Sequence, residues 1–416
     1  MKLKQFLLIV FSAQQFFCSA QHNLLKQFIR SDSFNIKYVK VLVNPAKYHL
    51  QVIYTQINRD SNNVPHLKSY FLEPPTKNYY YPASLVKLPL VAMALEKIDS
   101  INIKGLTKDT RLFIDSAYYC QKREYHDTTT KTGYPSIADF IEKMLLVSDN
   151  RAYNRLYEFI KPAYINKRLK ELGYKNAIIN QRFGGGCDTN ANRFTNPFTF
   201  ISDDSSSVIY KQALDSNRAP IANVAEHTIL GKGFMEGKKI KPPRDFRYSN
   251  YMPFEDENNI LLSIIFPQAF PASHHFKLKP DDYQFLYKYM SMLPRESDYP
   301  AYSQKDYKDD FKKYIYFGTS DTITDTAVRS FNIVGRAYGF IADCAYIADV
   351  NSHTEFFLSV LMYANEKNIL NIDGYQYENL ALPFMSDLGQ IIYKYEKKRK
   401  KKHQADLSQF KFQYPK

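Results

Sequence analysis

The chain has 416 residues, 56 Lys and Arg against 42 Asp and Glu, a net charge of +14 and only 4 Cys. Three of them, Cys120, Cys187 and Cys344, lie beyond residue 20; an odd count with no CxxC spacing argues against a disulfide scaffold and a zinc site and allows at most one bridge, and no HExxH string or patterned histidine set offers a metal another ligand field. An exported basic chain with no recognisable binding motif also makes nucleic acid a poor partner. Export is read from the first twenty residues: Lys2 and Lys4 form a basic start, Phe6 to Phe11 an apolar core, and Cys18-Ser19-Ala20 a small-residue cleavage site. The expected mature protein is periplasmic or secreted. Beyond that leader nothing reaches the roughly 18 consecutive apolar residues of a membrane span.

In chain order, Leu24 to Phe28 reads as a short amphipathic helix, and Tyr48 to Ile57, rich in β-branched and aromatic residues, as a strand. Ser84-Leu85-Val86-Lys87 then opens an apolar segment with helical character. A three-residue separation on a helix puts the hydroxyl and the amine on one face. Such a pair is a nucleophile with its own base, because a partly desolvated lysine with a lowered pKa can take the serine proton. Ser408-Gln409-Phe410-Lys411 has the same spacing in a polar tail, where it carries no chemistry.

A long, mainly helical block follows. Ser136 to Val147 has a capping-box start and helical apolar spacing, and it runs directly into Ser148-Asp149-Asn150. Residues 182–197 form a Gly- and Asn-rich loop. Arg329 to Val334, Gly339 to Asp349 and Glu355 to Ala364 read as three strands, and Leu388 to Tyr395 as a closing helix. Lys397 to Lys402 is an unbroken basic run, the solvated end of that helix or a contact for acidic envelope material. The two terminal segments are expected to share one antiparallel sheet, with the helical block inserted between them.

Ser84-x-x-Lys87 and Ser148-Asp149-Asn150 are two of the three motifs of the penicillin-recognising serine hydrolases. In these motifs, their order and their local context the chain resembles the class A β-lactamase-like members of that superfamily, over nearly all of the mature chain. The resemblance implies an α/β (α+β) fold: a sheet of N- and C-terminal segments covered by helices, with an inserted all-α subdomain. The corresponding division is a signal peptide 1–20, a hydrolase domain 21–396 and a basic tail 397–416. Within the domain, 21–98 and 301–396 form the α/β part and 99–300 the mainly helical part. Ser84 becomes the acylated nucleophile, Lys87 its base or proton relay, and Ser148 the group passing protons to the leaving group. Asn150 would hydrogen-bond Lys87 and a substrate carbonyl, and Asp149 would tie the loop to backbone donors. The oxyanion hole would be the backbone amides of Ser84 and Arg336, and Gly335 would mark the substrate-binding strand. No cofactor or metal is implied. The substrate would be a small molecule, a cell-wall peptide or a β-lactam-like amide or ester.

Two departures from the family pattern stand out. The only Lys-Thr-Gly string, Lys131-Thr132-Gly133, precedes Ser148 in a polar loop, and aligning Gly335 with the family glycine puts Ile333 where a lysine belongs and Val334 where a hydroxyl belongs. Arg329 and Arg336 are nearby cations, both expected in surface roles. The loop opened by Arg182 lacks the glutamate that activates the deacylating water; Asp188 is its one acid, expected as a cap. Cys187 beside three glycines has no histidine partner and reads as packing, and the long stretch 205–295, with Gly231-Lys232-Gly233 and Arg244 to Tyr248, as solvated loop or cleft wall. The competing reading is a non-catalytic binding protein on the same fold.

Overall fold

The computed structural model describes residues 23–184, 188, 191–216 and 220–415. The expected signal segment 1–20 and Cys187 lie outside the described residues. The chain starts with two helices, α1 (Leu24–Ile29) and α2 (Asp32–Leu42), then a hairpin of β1 (Gln51–Arg59) and β2 (Pro65–Phe71). A single 3-10 turn, Ala83–Val86, leads into α3 (Lys87–Ile101). The inserted block holds α4 (Ile137–Val147), α5 (Asn150–Ile160), α6 (Pro162–Glu171), α7 (Phe254–Ile265) and α8 (Pro280–Ser291). Three long strands, β3 (Val328–Ala337), β4 (Phe340–Asp349) and β5 (Thr354–Tyr363), and the helix α9 (Leu382–Lys398) complete it.

The five strands form one antiparallel sheet in the order β3-β4-β5-β1-β2. N- and C-terminal segments thus share a sheet, as the sequence reading expects. All ten residues of β4 and of β5 are buried, because the sheet is covered on both faces and alternate side chains enter different cores. Phe340, Ala342, Cys344, Tyr346 and Ala348 pack with α3, α4, α5, α7 and α8. Ile341, Ala345 and Ile347 pack with α1, α2 and α9. Strand β3 is one of the two edge strands, and its Gly335 lies against the 3-10 turn.

The inserted block is mainly helical but also carries short strands, among them the small sheet of Leu112–Ile114, Phe198–Ile201 and Val208–Gln212. Runs this short leave no period for a sequence reading to detect.

The segment expected as a basic tail is not an appendage. The helix runs through Lys397 to Lys398, and the chain then returns over the sheet. Phe410 is 1% exposed, with its ring 4.9 Å from Tyr346 and 5.3 Å from Phe331. Arg399 donates to Glu396 at 2.9 Å and to the Ile57 carbonyl at 2.8 Å. The aromatic residues after the lysines supply apolar area that only the open end of the core can cover.

Candidate active site

The site begins with a strained turn. Tyr79 and Tyr80 are buried, and their hydroxyls donate to the carbonyls of Asn250 and Met252 at 2.9 and 2.6 Å, which fixes the approach to residue 82. Ala83 then has φ +47°, a left-handed conformation that a residue with a Cβ adopts only when its surroundings hold it there. Ser84 follows in the 3-10 turn, half-buried, and among the described residues its hydroxyl makes no hydrogen bond. Pro89 sits in the first turn of α3, where a missing N–H costs nothing.

Lys87 is the first residue of α3 and its side chain is fully buried. Its Nζ donates to Ser148 Oγ at 2.9 Å, to Asn150 Oδ1 at 2.8 Å and to the Ser148 carbonyl. The second motif is shaped for this contact by two helix ends. Ser148 caps α4 in the left-handed region, φ +59°. Asp149 caps α5, its carboxylate accepting from the Ala152 N–H at 2.7 Å, and that cap is the structural role expected for it. All three lysine partners are neutral oxygens, so burial dominates and pulls the Lys87 pKa well below its ordinary value; repulsion by the cation of Lys312 adds to it, and Asp149 opposes it.

Around this amine the walls are aromatic. Lys87 Nζ lies 5.4 Å from the ring centre of Phe183 and 5.9 Å from that of Tyr153, two rings 4.4 Å apart. Asn154 clamps Phe183 by exchanging two hydrogen bonds with its backbone, at 2.9 and 3.0 Å. Arg182 roots the loop: it donates to Glu158 at 2.9 Å and to the Phe194 carbonyl at 2.6 Å, and Glu158 and Arg155 extend the buried network to Glu124. A cavity of about 370 Å³ lies on this side, bounded by Asn150, Asn154, Arg182 and Phe183. Asp188 is exposed and caps the turn at Ala191, accepting its N–H at 2.7 Å. Cys120, at the edge of the cavity, is disulfide-bonded.

The opposite wall is β3, and it is apolar. Ile333 is fully buried against the inserted block and Val334 is buried on the other face of the sheet. Gly335 is needed for a reason different from the expected approach of a substrate. A Cβ there would sit 2.3 Å from the Pro82 carbonyl oxygen and 3.0 Å from Leu85 Cγ, so the glycine lets the strand press on the nucleophile's own turn. That packing sets β3, with Arg336 next in line, against the turn that carries Ser84. Neither nearby arginine supplies a charge to the serine. Arg329 is paired with Glu296 at 2.9 Å, and Arg336 with Glu378 at 3.2 Å.

One group that sequence reading passes over belongs to this region. Lys312, in the connection before β3, is buried and donates to the carbonyls of Met144 and Leu145 at 3.1 and 2.6 Å, in the last turn of α4. Its surroundings in the sequence, Asp309-Asp310-Phe311-Lys312-Lys313-Tyr314, look like solvated surface, and nothing in their spacing marks it.

Residues 40–206, which hold both motifs, match the profile of the beta-lactamase enzyme family. Over this stretch the chain is β-lactamase-like. Curated proteins give no sequence match. Among solved structures it is similar to a β-lactamase from Sphaerobacter thermophilus, at 10% identity and a TM-score of 0.45 over 86% of this chain and 96% of that one. It is also similar to PBP-A, at 12% identity and 0.47 over 90% and 96%, and to a β-lactamase from Francisella tularensis, at 16% identity and 0.45 over 85% and 96%. Among the described residues no helix is long and apolar enough to cross a membrane, and no cluster of His, Cys, Asp or Glu could hold a metal ion.

Proposed function

We propose that the protein is an exported serine hydrolase that forms an acyl-enzyme through Ser84 on an amide, ester or β-lactam-like substrate, such as a cell-wall peptide. The observation that carries this reading is the buried Lys87 amine, held by Ser148 and Asn150 one turn from a half-exposed serine. A lysine whose charged form is disfavoured is a free base at a pH where an ordinary lysine is not. Ser84 Oγ attacks the substrate carbonyl carbon while its proton passes to Lys87 Nζ, directly or through Ser148 Oγ. The oxyanion is received by the backbone amides of Ser84 and Arg336. When the tetrahedral intermediate collapses, the C–N or C–O bond breaks and the leaving group takes its proton from Ser148, which Lys87 resupplies. Water then cleaves the ester to release the acid and restore Ser84.

The second half of this cycle is slow in our reading. An apolar ring, Phe183, stands beside Lys87, and among the described residues no carboxylate hydrogen-bonds it to activate water. The acyl-enzyme should therefore accumulate. Export is supported by the disulfide at Cys120, a bond that persists in oxidising compartments, together with the leader read at residues 1–20.

Intact mass after incubation with penicillin, cephalosporin, carbapenem and a fluorophosphonate tests the reading. The expected result is a stable single adduct that is absent in Ser84→Ala. Folded wild type that takes up none of the reagents would overturn it and leave the non-catalytic binding protein, for which Ser84→Ala would retain ligand affinity.

A further inference from the structure

Lys312 sits where its segment passes from one side of the sheet to the other. Phe311 before it packs against Leu146 and Val147 at the end of α4, and the residues after it lie on the far face of the sheet: the Tyr314 and Ile315 amides donate to Asp343 of β4 at 3.1 and 2.9 Å, and Tyr314 and Ile315 pack in the core beneath α9. Asn332 of β3 donates to the Lys312 carbonyl and to Asp343, the latter at 2.8 Å. From this anchored backbone the Lys312 side chain crosses the open edge of β3 and delivers its ammonium to the inserted block. The two carbonyls it meets, Met144 and Leu145, belong to the turn that ends at Ser148, and the Met144 carbonyl also accepts the Ser148 N–H at 3.1 Å. The C-terminal carbonyls of a helix attract a cation. Its neighbour Lys313 also reaches the inserted block, donating to the Met290 carbonyl of α8 as well as to the Ser330 carbonyl and Asn332 Oδ1, the latter two at 2.8 Å, but it makes no hydrogen bond to α4.

We infer that Lys312 is the second lysine of this active site, a positioning residue that supplies from outside the strand the cation which Ile333 cannot and fixes the turn that presents Ser148 to Lys87. The inference rests on the acyl-enzyme reading above. Its electrostatic content follows from two buried amines sharing one region. Burial pulls Lys312 down to about 7 while Asp343 opposes the shift, and burial together with the repulsion of Lys312 pulls Lys87 well below its ordinary value. A proton held by Lys312 therefore disfavours a proton on Lys87. The charged or titratable groups facing the pair are Asp149 at the start of α5, Lys313 on the same segment, Asp343 on β4, Tyr302 in the connection before β3 and, behind Lys313, the Arg329–Glu296 pair. Ser148 bonds Lys87 and follows the turn that Lys312 holds, so a substrate carboxylate or a leaving group there would feel the Lys312 charge.

The test is the pH profile of Ser84 acylation by a fluorophosphonate in the full chain. Lys312→Gln keeps a donor for the Leu145 carbonyl and removes the charge. Removing a like charge raises the Lys87 pKa, so the rising limb of the profile moves up by about one pH unit and the rate below the limb falls about tenfold. Lys312→Arg restores the charge and returns the limb toward wild type. A limb that stays in place in a folded Lys312→Gln protein overturns the inference, because a purely structural lysine would change stability alone. In the wild type, spectra of ε-13C-labelled lysine give a second reading: the Lys312 titration midpoint moves when Ser84 is acylated. A midpoint that does not move also overturns the inference. A wild type that takes no label fails at the acyl-enzyme itself, a different outcome from either.

Discussion

The two walls of the site are built from opposite materials. On the side of the inserted block, Lys87, Ser148 and Asn150 form a hydrogen-bonded cluster backed by the buried ions Arg155, Glu158 and Arg182. On the side of β3, Ile333 and Val334 present hydrocarbon, and the one special residue, Gly335, contributes the absence of a side chain. The difference separates two tasks that a strand lysine would combine. In the proposed reaction, shape and backbone donors would come from the strand, and proton chemistry from the helices and from side chains that cross to them.

The strongest way to break this comparison is Lys87→Met. A positioned base contributes about 10²- to 10⁴-fold, so the rate of Ser84 labelling should fall by that range. The melting temperature should not fall, because an apolar side chain replaces a buried amine and the partners Ser148 and Asn150 can reach water. A variant that keeps its labelling rate would remove Lys87 from the mechanism.

Ile333→Lys asks whether the strand wall would accept the missing charge. The new ammonium would enter a fully buried apolar position, at a cost on the order of 3–5 kcal/mol in unfolding free energy. Chemical denaturation reads the loss, and labelling should be no faster than in wild type. Faster labelling would show that the strand and helical walls are interchangeable.

Gly335→Ala probes the contact between the walls. A Cβ 2.3 Å from the Pro82 oxygen forces β3 off the nucleophile turn, and overpacking of this kind costs about 1–3 kcal/mol. Because Arg336 would move with the strand, the labelling rate should drop together with stability. Loss of stability with an unchanged rate would detach Arg336 from the oxyanion role.

The smallest effect is in the pH dependence of stability. Lys97 and Lys312 are held down at about 7 by burial, so from there to the ordinary lysine range the unfolded chain binds more protons than the folded one. These amines contribute stability that is complete above the unfolded value and lost as pH falls through about 7. Glu142 opposes them only up to about 8, where its folded carboxyl ionises. The melting temperature should therefore still be rising between about pH 8 and about pH 10, and less so in Lys312→Gln. A decline over that interval would show that Lys312 is charged throughout.

Much of the site is legible in one dimension because its parts are local. Ser84 and Lys87 are one helical turn apart, and Ser148-Asp149-Asn150 joins two helices through residues that also cap them, so motif and cap coincide. The β3, β4 and β5 strands show in their runs of apolar and aromatic residues. Phe183 and Tyr153 hide in an ordinary loop and an ordinary helix face, and only the fold turns them toward Lys87. The C-terminal segment misleads for the same reason: six basic residues in a row suggest solvent, and the cover formed by Ala405, Leu407 and Phe410 becomes visible only with the core they close.

By itself the sequence singled out Ser84, Lys87, the serine and asparagine that bond the Lys87 amine, and the isoleucine where the resemblance expects a strand lysine, since each is a matter of residue type at short spacing. Only the tertiary structure decided what Gly335 accommodates and where Lys312 goes. Those contacts join segments with no common period, and a lysine's solvation, hence its charge, depends on which distant elements enclose it.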